Sequence, residues 1–123
     1  NVFSIHVMMY AQMPIALHQA KAELFRTLGH PVRIRVLELL QEGPRAVHEL
    51  LAEIEVEPSN LSQQLSVLRR AGIVVSTREG STVLYSLGTS DVDDLMRAAR
   101  RFLTDLFADR ESLLTELRAG GTG

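Results

Sequence analysis

No cysteine occurs among the 123 residues. Disulfides and thiolate metal ligation are excluded with it, nothing in the chain points to an oxidising compartment, and the expected location is cytoplasmic. An excess of positive charge is also missing, the formal net charge being −2 at pH 7. Phosphate contacts need local positive charge, so a nucleic-acid partner is admissible only where basic residues gather. Of the thirteen basic residues only Lys21 is a lysine, and the arginines suit bidentate contacts to phosphate or guanine. Enzyme machinery is absent as well. No nucleophile sits in a tight glycine turn, no phosphate-cradling loop is present, and no histidine has a base to act with, so neither catalysis nor a cofactor is expected.

Residues 1–13 carry no formal side-chain charge if His6 is neutral. They are too short to span a bilayer and have no basic leader, so neither a membrane partner nor a signal peptide is expected. Met13-Pro14 reads as a start, which makes residues 1–13 an N-terminal extension or a cloning remnant. A hydrophobic content of 46% suffices for one compact domain over residues 14–118. The stretch Ala119-Gly120-Gly121-Thr122-Gly123 reads as a disordered tail.

What is present is concentrated in Pro58 to Gly72. Leu61, Leu65 and Leu68 fall at i, i+4, i+7 and line one face of a helix. The other positions hold Asn60, Ser62, Gln63, Gln64, Ser66, Arg69 and Arg70. A solvated helix normally carries Glu and Lys there; short hydroxyls and amides both donate and accept, and so can read base edges. Ser59 is the expected N-cap and Gly72 the left-handed C-terminal stop. A polar surface helix without any partner is the plainer alternative.

Earlier in the chain, Leu17, Ala20, Leu24, Phe25 and Leu28 follow helical spacing from Ile15 on. Gly29 ends this first helix, and His30 with Pro31 starts a second that runs to Leu40. Val47, Leu50, Leu51 and Ile54 make a short third helix, and the turn Glu55 to Pro58 leads into the fourth, giving a helix-turn-helix. Beyond Gly72 the period changes. Ile73 to Arg78 and Thr82 to Leu87 are β-branched and aromatic runs around Glu79-Gly80-Ser81, a hairpin wing. Ser90 with Asp93 resembles a capping box and opens a fifth helix through Val92, Leu95, Met96, Ala99, Phe102, Leu103, Leu106 and Phe107. The expected fold is α+β and mostly helical: helices one to four, a β-hairpin wing, and a long C-terminal helix.

This order resembles the winged helix-turn-helix of the ArsR/SmtB family of bacterial repressors. The words carrying the resemblance are Phe25 to Leu37, Ser59 to Val74, and the wing ending in Tyr85; the similarity covers residues 16–108. One departure is that the family often has His where this chain has Gln64. The resemblance implies a homodimer joined through the first and last helices, with Leu17, Leu24, Leu95, Met96, Phe102, Leu103 and Leu106 in the interface. The apolar pairs Leu95-Met96, Phe102-Leu103 and Leu106-Phe107 support this independently, since their stripe is wider than one small core requires. A last helix that merely caps its own monomer is the alternative. A dimer sets two reading helices about 34–36 Å apart and calls for an inverted-repeat operator in double-stranded DNA.

On that fold, base readout falls to Asn60, Gln63 and Gln64, with Ser66 on the same polar surface. Ser59 and Ser62 are expected to bind phosphate or cap the helix, and Arg69 and Arg70 to meet phosphates or remain surface charges. Arg78 at the wing tip is placed for the minor groove, where the potential is most negative, although Glu79 beside it weakens the local field. Arg45 and His48, at the start of the third helix, are candidates for phosphate contact or for helix-end structure. The family's metal sites are not reproduced. The thiolate pair falls at Leu51 and Glu53, and the zinc ligands of the last helix fall at Asp91, Asp93, Thr104 and Phe107, of which the distant two cannot ligate. The histidines at 6, 18, 30 and 48 are scattered. Two alternatives stay open: a winged-helix module that binds protein, and a metal-responsive repressor pairing His6 or His18 with Asp91 or Asp93 across a dimer.

Overall fold

In the computed structural model, which describes residues 16–121, α1 (Leu17–Leu28) leads into α2 (Pro31–Leu40), β1 (Arg45–Ala46) and α3 (Val47–Glu53). Then come α4 (Pro58–Arg70), β2 (Val74–Glu79), β3 (Thr82–Leu87) and α5 (Ser90–Gly121). Residues 1–13, expected as an extension or remnant, lie outside the described residues, and so does His6. No described helix is long and apolar enough to cross a membrane.

Local stereochemistry explains most of the boundaries. The backbone N–H of Gly29 closes α1 on the Phe25 carbonyl at 2.8 Å. Pro31 takes the first position of α2, where its missing N–H costs nothing, and His30 caps that helix by accepting the Val32 N–H on Nδ1 at 3.2 Å. The third helix opens with the Glu49 carboxylate accepting the Ala46 N–H at 3.0 Å. The fourth begins two residues earlier than expected. Pro58 is its first residue, because proline's fixed φ is already helical, and Glu57 is the N-cap; Ser59 is therefore inside the first turn and is not the cap. At the other end Gly72 has φ +76. The N–H of Ile73 reaches the Leu68 carbonyl at 3.1 Å and that of Gly72 the Arg69 carbonyl at 3.0 Å, the paired bonds of a Schellman stop.

The core sits where α2, α3 and α4 meet the base of the hairpin. Val36, Leu37, Leu50, Leu61, Leu68 and Val74 have no exposed surface, and Leu65 is at 2%. The sheet has the order β1-β3-β2 with antiparallel pairing throughout. Strand β1 was not anticipated, since two residues are too few to show alternation; its pairs Arg45↔Tyr85 and Ala46↔Leu84 fasten the start of α3 to the wing. A two-residue loop, Gly80-Ser81, joins β2 to β3, and Gly80 supplies the positive φ of +64 that a II′ hairpin needs at its first loop position.

The first and last helices behave differently from the rest. Only Thr27 and Leu28 of α1 are buried. The last helix has 32 residues, about 48 Å at 1.5 Å per residue, and touches the core only through Val92, Leu95 and Met96. From Arg97 to Gly120 every residue is exposed. Residues 119–121, expected in a disordered tail, continue the helix, and 122–123 lie outside the described residues. The expected capping box at Ser90 is not made either. Both Asp93 oxygens are engaged elsewhere, accepting from Gln41 Nε2 and from Arg97 Nε, each at 2.9 Å. The Gln41 amide and then Arg97 hold the Asp93 carboxyl below the usual carboxylate range, so this tie between α2 and α5 is fully formed at neutral pH and loosens only as pH falls through that lowered value.

Candidate nucleic-acid interface

The burial of Leu61, Leu65 and Leu68 decides which face of α4 looks outward. Opposite these leucines, at i, i+4, i+7, i+11, lie Ser59, Gln63, Ser66 and Arg70, flanked by Ser62 and Arg69. All are exposed except Ser66, which is half-buried. Asn60 is half-buried on the other flank. The arginines lie in the last turn, where the carbonyl end of the helix favours positive charge whether or not a phosphate is present.

Gln64 corrects the sequence reading. Expected on the outer face as a base reader, it is only 7% exposed. Its Oε1 accepts from Arg33 Nε at 2.8 Å and its Nε2 donates to Asn60 Oδ1 at 2.9 Å. Arg33 in turn donates from Nη1 to the Thr27 carbonyl at 3.0 Å, so a single guanidinium joins the end of α1 to α4. Sequence reasoning missed Arg33 because its partner is 31 residues away, and no local pattern marks such a pair.

The wing carries Arg78 at its outer end, exposed and paired across the hairpin with Val83, next to the exposed Glu79. Arg45 is not at a helix start. It lies in β1, its Nη2 is 3.1 Å from Glu42 Oε2, and it lines an open groove of about 890 Å³ between α2 and α5. His48 is exposed in the first turn of α3. Along α1 and α5 the expected interface residues Leu17 (69%), Phe102 (66%), Leu103 (45%), Leu106 (38%) and Leu24 (38%) are left uncovered by the chain itself. Phe25, Phe107, Leu113, Leu114 and Leu117 are exposed on the same two helices. Leu95 and Met96 differ: both are half-buried against the chain's own core.

The family model described as "Bacterial regulatory protein, arsR family" matches residues 30–76. An uncharacterized HTH-type transcriptional regulator of Mycobacterium tuberculosis, Rv0081, is 50% identical over 107 residues, 86% of this chain and 94% of the relative. The chain belongs to the ArsR family. The crystal structure of Rv0081 superposes with a TM-score of 0.73 at 49% identity, covering 78% of this chain and 97% of that one. The transcriptional repressor BigR of Xylella fastidiosa gives 0.64 at 36% identity, covering 69% and 87%. The homodimeric winged helix-turn-helix domain of Mb0332 from Mycobacterium bovis gives 0.62 at 28%, covering 72% and 82%.

This ArsR-family protein is thus a winged helix-turn-helix transcription regulator, and its fold and relatives are not those of an enzyme. It is a member without the usual ligand types at the metal positions. Leu51 and Glu53 stand in and at the end of α3, Thr104 and Phe107 are exposed on α5, and Asp93 is tied to Gln41 and Arg97. Among the described residues no three or more His, Cys, Asp or Glu side chains gather in one place.

Proposed function

We propose that the protein is a homodimeric repressor that binds an inverted-repeat operator in double-stranded DNA through α4 and the wing. The observation that carries this reading is the outer face of α4, where Ser59, Gln63 and Arg70 are exposed across from the buried leucines and Ser62 is exposed beside them. A helix face of hydroxyls, an amide and a terminal Arg suits base edges and phosphates better than it suits bulk water. Pairing of two chains through α1 and α5 is supported by the apolar side chains that a single chain leaves uncovered, and the Mycobacterium bovis relative is homodimeric. No metal enters this reading, since Leu51, Thr104 and Phe107 stand where a metal site of this family would need ligands.

Gln63 is the base reader on the outer face. Gln63→Ala is expected to leave the fold and dimer intact and to cost about 1–3 kcal/mol on the operator, with little change on a scrambled duplex. A gel-shift titration of both duplexes measures this, and unchanged discrimination between them removes Gln63 from the reading surface.

Arg78 has the other role, a phosphate or minor-groove contact made irrespective of sequence. The Arg78→Ala variant should weaken operator and scrambled duplexes by similar factors and lower the magnitude of the salt slope by about one unit. A loss confined to the operator would make Arg78 a base reader, and no loss at all would keep the wing off the DNA.

A further inference from the structure

We infer that the relay from Arg33 through Gln64 holds the side-chain amide of Asn60 in one orientation, so that Asn60 offers DNA only N–H donors and selects a base edge bearing an acceptor. The inference rests on the DNA-reading role of α4 proposed above. Its physical basis is that a guanidinium can donate hydrogen bonds but cannot accept them.

Arg33 Nε lies 2.8 Å from one end of the Gln64 amide, and that end must therefore be the oxygen. Turned the other way, Gln64 would set its NH2 against the guanidinium, donor against donor. The opposite end of Gln64 is then Nε2, and the Asn60 atom 2.9 Å from it must be an acceptor, Oδ1. Each orientation thus follows from the one before it. The relay is anchored, because Arg33 Nη1 also donates to the Thr27 carbonyl at 3.0 Å. It is also sheltered, because Gln64 is 7% exposed and among the described residues no buried side-chain polar atom is left without a partner. Reversing Asn60 alone would orphan the Nε2 donor in that interior.

What remains free on Asn60 is Nδ2. Asn60 is the third residue of α4, at the end that would enter the major groove. There guanine offers N7 and O6, adenine N7 and thymine O4, whereas cytosine offers only its N4 donor. The familiar two-pronged pairing of Asn with adenine needs both ends of the amide on the base, and here Oδ1 faces Gln64 Nε2 instead. Asn60 accordingly rejects cytosine without demanding adenine, and Arg33 and Gln64 act as positioning residues for that choice.

The test is selection from a randomised duplex library with the full chain, followed by gel-shift titrations at fixed salt. Asn60→Ala identifies the base that Asn60 meets, by losing preference there while preference elsewhere is retained; in the wild type that base should present an acceptor. Gln64→Glu keeps the bond to Arg33 but removes the donor, so Asn60 turns its Nδ2 inward and its Oδ1 toward DNA. Preference at the same base should then move toward cytosine or the adenine N6 edge, with a reversal of about tenfold or more, equivalent to about 1.4 kcal/mol. Gln64→Met breaks both bonds and should relax the preference to within about threefold, while thermal melts and sedimentation report on fold and dimer. The inference is overturned if Asn60→Ala alters no position, if its base in the wild type presents only a donor, or if a folded Gln64→Glu keeps the wild-type preference. A wild type with no sequence preference overturns the DNA-reading role, and the inference with it.

Discussion

Replacing both Leu103 and Leu106 with aspartate is expected to leave a folded chain that no longer dimerises and binds the operator about 10²–10⁴-fold more weakly. The two leucines are 45% and 38% exposed in the single chain, and neither belongs to the core formed by α2, α3, α4 and the hairpin base. The substitutions therefore spare the monomer's own packing. In a symmetric dimer they place four carboxylates in an apolar seam, where like charges repel and each loses hydration without a partner. A monomer reaches only one half-site, so the second binding event ceases to be intramolecular and its high effective concentration is lost. Sedimentation, a thermal melt and a gel-shift titration together check this. A variant that stays dimeric, or a monomer that keeps operator affinity, would remove α5 from the interface.

Among the described glycines, Gly88→Ala is expected to be the most damaging change to alanine, costing about 3 kcal/mol of stability or roughly 12 °C in Tm. A Cβ at Gly88 would collide with the Gly72 carbonyl oxygen and lie 3.2 Å from that of Ile73. Neither neighbour can step aside easily. Gly72 already holds the left-handed stop of α4 with φ +76, and Ile73 uses its carbonyl to accept the Gly88 N–H at 2.8 Å. The methyl would push the end of β3 off the cap of α4, loosening the wing from the helix at the same point. Gly120→Ala serves as the control, since nothing lies within 4 Å of its added Cβ and alanine favours the helix. A Gly88→Ala melting temperature within about 2 °C of the parent would mean that the hairpin base has slack to absorb the group.

The sequence by itself determined those features whose cause lies within a few residues. Leucines at 61, 65 and 68 can share a face only in a helix, Pro31 and Pro58 can sit only in a first turn, and Gly80 has the positive φ that its two-residue loop requires. The helix-turn-helix, the wing and the exposed positions Ser62, Gln63, Arg69, Arg70 and Arg78 were legible for that reason. Even there proline overrode Ser59 as the helix start, because a preset φ outweighs a preferred cap. Tertiary structure decided whatever depends on residues distant in the chain. Position 64 reads as one more polar residue of an outer face, yet it stands at i+3 from Leu61 beside the buried leucines, and there Arg33, 31 residues earlier in sequence, and Asn60 take the two ends of its amide. Asp93 was similarly taken from its expected cap by Gln41, 52 residues away. The closeness of Gly88 to Gly72 and the pairing of β1 with β3 likewise leave no trace in periodicity. Periodicity reports which side of an element is apolar, and hydrogen bonding between elements then selects which polar side chains remain free to meet a partner.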